Sequence, residues 1–180
     1  MILYCQGDIF LTRSQCIAHG CNILGKMGAG IAKEFRNRFP DMYEVYKNLC
    51  NNSELKVGEI YSYLESKPII LNFMTQSGFY NATLKNIESC LDKICKGRLE
   101  ISKCHYLNIT SLSMPKIGCG LGKLNWNDVN KLITDKLEKS PFDVFIYDNY
   151  ILNKFSEQED RYWKMKGDKN EKERLTKTVK

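Results

Sequence analysis

Apolar residues recur along this chain with two different periods. Short apolar runs occupy residues 2–6, 16–19, 57–63, 69–74, 112–117 and 143–147, each about the length of a strand. Residues 57–63 alternate Val57, Glu59, Tyr61 and Tyr63 with small or polar neighbours, which predicts an outer strand. Residues 69–74 are nearly all apolar, as a strand buried on both faces requires. Between these runs the spacing lengthens to three and four residues. Ile31, Phe35, Phe39, Met42, Tyr43 and Tyr46 put a helical stripe on residues 29–48, which Pro40 ends or kinks near Phe39. Leu84, Ile87, Leu91, Ile94 and Cys95 mark a second helix, and residues 126–137 a third, with Asn125 as its N-cap. Strands alternating with helices predict an α/β layered sheet whose ligands bind beyond the carboxyl ends of the strands.

The pattern changes after Tyr150. From Asn153 onward Lys, Glu, Asp and Arg dominate, and Phe155, Tyr162, Trp163 and Met165 are among the few large apolar groups. This reads as a domain over 1–150 and a charged helix or tail over 151–180, docked at its start and disordered at its end.

Composition narrows the setting. The length of 180 residues suits one domain. Eight cysteines would build a disulfide framework in a secreted chain, but the first residues lack the basic and apolar regions of a signal peptide. Gaps such as Cys16 to Cys21 and Cys90 to Cys95 are not zinc spacing, so reduced buried thiols are expected, with no metal and no cofactor. No run approaches the roughly 20 apolar residues that span a bilayer, so no membrane is expected. The expected location is cytoplasmic, or nuclear in a eukaryotic source, and the expected state is a monomer. A net charge of +6 suits a phosphate-bearing ligand and equally suits weak nucleic-acid contact.

Two segments carry candidate chemistry. The first, His19-Gly20-Cys21-Asn22-Ile23-Leu24-Gly25-Lys26-Met27-Gly28-Ala29-Gly30-Ile31-Ala32, follows a strand and opens a helix. Glycines there let backbone approach a ligand, and the free N–H groups of a helix start form an anion site. The second, Met114-Pro115-Lys116-Ile117-Gly118-Cys119-Gly120-Leu121-Gly122, sets glycines at alternate positions after a buried strand, as a phosphate-binding nest does. Either loop alone could be a turn that needs glycine; two at one sheet edge could enclose a diphosphate. The first turn, Gly7-Asp8, lacks the G-x-G-x-x-G of a dinucleotide fold, and no Walker loop is present.

Gly7-Asp8-Ile9, residues 19–32 and residues 113–126 (S-M-P-K-I-G-C-G-L-G-K-L-N-W) resemble macrodomains, over about 2–147. The similar branch is that of ADP-ribose 1''-phosphate phosphatases and terminal ADP-ribose glycohydrolases. The resemblance implies a three-layer α/β/α fold with a mixed central sheet. It implies that Asp8 accepts from the adenine amino group beside Ile9, and that Gly20, Cys21 and Asn22 border the distal ribose. Met27, Gly28, Ala29, Gly30, Ile31 and Ala32 would face Ile117, Gly118, Cys119, Gly120, Leu121 and Gly122 across the diphosphate and distal sugar. Tyr147 would pack near adenine. On residue chemistry alone, Asp8 could equally cap a turn and Tyr147 could be plain core.

One glycohydrolase branch places a lysine and an aspartate where Gln76 and Gly122 stand here, and neither of these can attack a sugar carbon or move a proton in the same way. Residues 72–77, N-F-M-T-Q-S, look more like the phosphatase-type members. The resemblance therefore implies hydrolysis of the phosphate of ADP-ribose 1''-phosphate. Asn22 would position ribose or water, and His19 is the titratable candidate for proton transfer, although a lone histidine on a short strand is more often structural. A non-catalytic ADP-ribose reader, or a hydrolase that removes ADP-ribose from protein or nucleic acid, remains open as the alternative.

Overall fold

A computed structural model describes residues 1–167 of the chain. Its strands are β1 (Ile2–Gly7), β2 (Cys16–Asn22), β3 (Ile60–Tyr63), β4 (Ile69–Gln76), β5 (Arg98–Ser102), β6 (His105–Asn108), β7 (Ser111–Pro115) and β8 (Asp143–Tyr150). Its helices are α1 (Gly30–Arg38), α2 (Pro40–Asn51), α3 (Leu84–Ile94), α4 (Trp126–Leu137) and α5 (Glu157–Met165), with a 3-10 turn at Ile9–Leu11. Six strands form one sheet in the order β1-β8-β7-β2-β4-β3, and only β3 runs antiparallel to its neighbour. The sheet is mixed, as expected, and helices cover both faces.

Side-chain alternation explains the layering. Cys16 and Ala18 of β2, Leu71 and Phe73 of β4, and Val144 and Ile146 of β8 share one core. Ile87, Cys90, Leu91 and Ile94 of α3 and Val129, Ile133 and Leu137 of α4 cover that core. The residues between them, Ile17, Ile70, Met74 and Phe145, form the opposite core with Phe35 of α1 and Met42 and Tyr46 of α2. Each such side chain, fully buried, contributes about 1.5–3 kcal/mol of transfer free energy. Pro40 stands in the first turn of α2, where its missing N–H is harmless, so it separates α1 from α2 at Phe39. Asn125 caps α4 by accepting from the Asn127 N–H, as its sequence position suggested.

One element was not read from the sequence. Residues 98–108 form the β5–β6 hairpin, with Arg98 stacked 3.8 Å from the Tyr106 ring centroid. Its strands are largely exposed, so they lack the apolar alternation that identified the others. The start of the charged segment after Tyr150 docks as α5. Tyr162 and Trp163 pack on Phe145, with ring centroids 5.2 and 5.6 Å away. The tail end expected to be disordered lies outside the described residues.

Candidate functional site

β1, β2, β4, β7 and β8 run parallel, so their carboxyl ends share one edge of the sheet. The chain leaving β2 there is shaped by Asn22. Its Oδ1 accepts from the N–H groups of Leu24 (2.9 Å) and Lys26 (3.3 Å), and its Nδ2 donates to the Lys26 carbonyl at 2.7 Å. Tyr46 of α2 donates to the Asn22 carbonyl at 2.8 Å and lies 3.1 Å from Oδ1. Burial pushes the Tyr46 phenol far up, so it stays a donor. One Nδ2 hydrogen of Asn22 is committed to the loop, and the second is the one it can offer to a ligand.

The loop then delivers residues 28–30 to the start of α1. Ala29 is the N-cap without a side-chain bond, and no acidic residue stands in the first turn. The N–H groups of Gly30, Ile31 and Ala32 therefore form an uncapped positive helix end. Gly30 adopts φ +56°, which favours glycine, and a Cβ at Gly28 or Gly30 would meet nothing within 4 Å.

The second loop faces the first. Gly118 takes φ +75°, its carbonyl accepts from Leu124 N–H at 3.1 Å, and Gly120 O accepts from Lys123 N–H at 3.0 Å. Among the described residues, no carbonyl takes the N–H of Gly120 or Leu121. Gly122 is enclosed: a Cβ there would lie 2.4 Å from Gly118 O and 2.7 Å from Ala82 Cβ. Glycine is therefore required at 122, and an aspartate could not stand there without unwinding the loop.

The two loops bound a cleft of about 780 Å³. Residues 20–22, 27–32, 117–118 and 120–122, together with Tyr147, line it. Cys119 does not; its thiol turns back to the Ile117 carbonyl at 3.4 Å. Cys21 lines the cleft, but burial holds its thiol protonated, so it is no nucleophile.

Three expectations are corrected. His19 is fully buried behind the cleft, its ring stacked on Phe35 at 3.8 Å and its Nε2 paired with Asn72 Oδ1 at 2.8 Å. Burial lowers its pKa from 6.5 to about 4, so it is a neutral framework group and does not reach the cleft to move protons. Asp8 is also fully buried and caps the 3-10 turn: Oδ1 accepts from Phe10 N–H at 3.0 Å and Oδ2 from Asn153 N–H at 3.0 Å, with Arg38 3.5 Å away. Ile9 is sealed in the core.

Other lining residues escaped the sequence reading. Glu34, Arg36, Tyr43, Thr75, Phe79, Tyr80, Asp148 and Tyr150 also line the cleft, and Lys26 and Lys116 join them from within the two glycine segments. Phe79 and Tyr80 ride on a loop that returns across the edge, where Ala82 N–H donates to Gly122 O at 3.1 Å. Asp148 has no ladder partner, because the register moves from Cys5–Tyr147 to Gln6–Asn149; such a bulge re-aims side chains. Flanking lysines and the continuation of β8 were the only signals for these positions.

The Macro domain family profile matches residues 18–133 of the 180. The chain belongs to the Macro domain family. The DNA ADP-ribosyl glycohydrolase of Mycobacterium tuberculosis is 29% identical over 153 residues, covering 82% of this chain and 42% of that protein. The chain thus spans less than half the length of that relative. The ADP-ribose 1''-phosphate phosphatase of Candida albicans is 27% identical over 158 residues, covering 81% of this chain and 99% of its own. Among solved structures, Thermosipho africanus DarTG in complex with ADP-ribose matches with a TM-score of 0.68 and 31% identity, over 81% of this macrodomain and 41% of that chain. The two curated relatives are named as a glycohydrolase and a phosphatase acting on ADP-ribose derivatives, and the macrodomain fold is shared with the solved structure.

Proposed function

We propose that this macrodomain binds ADP-ribose 1''-phosphate along the cleft and hydrolyses its terminal phosphate. The observation that carries the reading is the pair of facing backbone donor sets, at the start of α1 and in residues 118–122, spaced around one cleft. Backbone N–H groups aimed at one volume suit a diphosphate, whose charge the helix end and nest stabilise together. Lys26, Arg36 and Lys116 line the cleft against Glu34 and Asp148, which leaves a cationic balance for an anionic ligand.

The base lies at the β8 end against Ile31, Tyr147 and Tyr150, and the distal ribose beside Gly20, Asn22, Thr75 and Gln76. Water attacks the terminal phosphorus, the bond from phosphorus to the ribose 1''-oxygen breaks, and ADP-ribose and inorganic phosphate leave. The chain's contribution is electrostatic and positional: the N–H groups and Lys26 or Lys116 take up phosphoryl charge, while the second Asn22 amide hydrogen orients ribose or water. Neither His19 nor Cys21 takes part, for the reasons of burial given above. Phosphate release from ADP-ribose 1''-phosphate is the test. Asn22→Ala loses turnover at saturating substrate, beyond the loss of affinity that follows from freeing its loop; unchanged turnover in that variant removes the assignment.

A second reading is a reader that holds ADP-ribose without cleaving it. It is favoured by the commitment of the Asn22 side chain to its own loop and by the donation of Gln76 Nε2 to Gly78 O at 2.9 Å. The substrate bound but not consumed would mark this outcome. Removal of ADP-ribose from a macromolecule is a third outcome, read as loss of label. The enclosure of Gly122 speaks against an aspartate-dependent form of it.

A further inference from the structure

The β8 end of the cleft is supported from behind by chain that the family match, residues 18–133, does not include. Ile151 N–H donates to Gly7 O at 3.0 Å, Asp8 N–H to Lys154 O at 2.7 Å, and Asn153 N–H to the Asp8 carboxylate at 3.0 Å. The approach is close enough that a Cβ on Gly7 would stand 2.6 Å from Lys154 O. Ser156 then caps α5 by accepting from Glu159 N–H, which turns the Glu159 side chain inward.

Glu159 is 2% exposed and gathers four donors. Its Oε1 accepts from the Thr12 hydroxyl at 2.9 Å, Arg13 N–H at 2.8 Å and Trp163 Nε1–H at 2.9 Å. Its Oε2 accepts from the Tyr147 hydroxyl. A carboxylate so bonded cannot rotate without stranding buried donors. Burial and the Glu159 charge push the Tyr147 phenol up, so the hydroxyl stays a donor. Tyr147 lines the cleft while its hydroxyl is held behind the wall; Glu159 is not among the lining residues.

We infer that segment 151–163 braces the wall of the nucleotide site from behind and that Glu159 is a positioning residue for the base, acting through Tyr147. This rests on the nucleotide reading proposed above. A ring fixed before the ligand arrives spares the ordering that a free side chain would undergo at each binding event. The base lies at the opposite end from the scissile phosphate, so the contribution falls on binding and leaves turnover alone.

The test uses the full chain with ADP-ribose as the calorimetric ligand, for the wild type, Tyr147→Phe, Glu159→Gln and the pair. Each single substitution raises Kd roughly five- to tenfold, as the loss of part of a charged hydrogen bond implies. The pair binds no more weakly than the worse single variant, because both remove one contact. In phosphate release the loss appears in KM, and kcat is retained. Val129→Ala, in the opposite core under α4, lowers stability and keeps the wild-type Kd. The inference is overturned if the singles bind like the wild type, if their losses multiply in the pair, or if Val129→Ala weakens binding equally. A wild-type chain that fails to bind ADP-ribose brings down the nucleotide reading itself, whereas wild-type binding with unaffected variants overturns this inference alone.

Discussion

Adding one methyl group separates two roles of glycine in the second loop. In Gly122→Ala the new Cβ would stand 2.4 Å from Gly118 O and 3.0 Å from Gly118 C, both backbone atoms that cannot swing aside. Ordinary contact begins near 3.4 Å, so the two strands of the loop must part by about 1 Å. Overpacking of this kind costs about 1–3 kcal/mol. Moving Gly118 O also loosens its bond from Leu124 N–H, worth about 1 kcal/mol. A total near 3 kcal/mol lowers Tm by roughly 10 °C in a domain of this size. In Gly120→Ala the methyl meets nothing within 4 Å, at a residue that lines the cleft. That variant melts within about 2 °C of the wild type, as an unstrained surface change does, yet its ADP-ribose affinity falls more than about tenfold because methyl and phosphate compete for one place. Differential scanning calorimetry and titration calorimetry read both quantities. A Gly122→Ala protein that melts with the wild type, or a Gly120→Ala protein that binds like it, would refute the geometry assigned to the loop.

Further outcomes test the framework. Because burial lowers the His19 pKa from 6.5 to about 4, the unfolded chain binds the proton more readily between those values, so its contribution to stability is full above pH 6.5 and is lost as pH falls towards 4. A shift of that size amounts to about 3 kcal/mol; urea unfolding across this range should show it, and His19→Gln should remove that part of the slope. A pH-independent difference between the two proteins would contradict a neutral buried imidazole. Tyr46→Phe removes the donor to Asn22 and costs about 1–2 kcal/mol of stability, with weaker ADP-ribose binding as the loop loosens; a variant unchanged in both measurements shows that α2 does not hold the loop.

Much of the fold was legible because buried strands declare themselves. Residues 69–74 and 143–147 are apolar on both faces, as β4 and β8 require between two helical layers. The two glycine loops were legible for the same kind of reason, since glycine marks close approach wherever it clusters. Which way a polar side chain turns was not legible. His19 and Asp8 sit beside the loops in sequence, but strand alternation sends one into the core behind Phe35, and the 3-10 turn at Ile9–Leu11 draws the other into its cap. The tail was legible only in part: that its start docks could be read from Phe155, Tyr162 and Trp163. Which of its charges is buried could not be read: Glu159 sits at the centre of a network that only the folded arrangement assembles.

The most direct test of the central claim is an amide NMR titration of the chain with ADP-ribose. The account predicts that the largest shifts fall on the N–H groups of Gly30, Ile31 and Ala32 and on those of residues 118–122, and that both sets saturate together. Shifts confined to other surfaces, or to only one of the two loops, would contradict a diphosphate held between them.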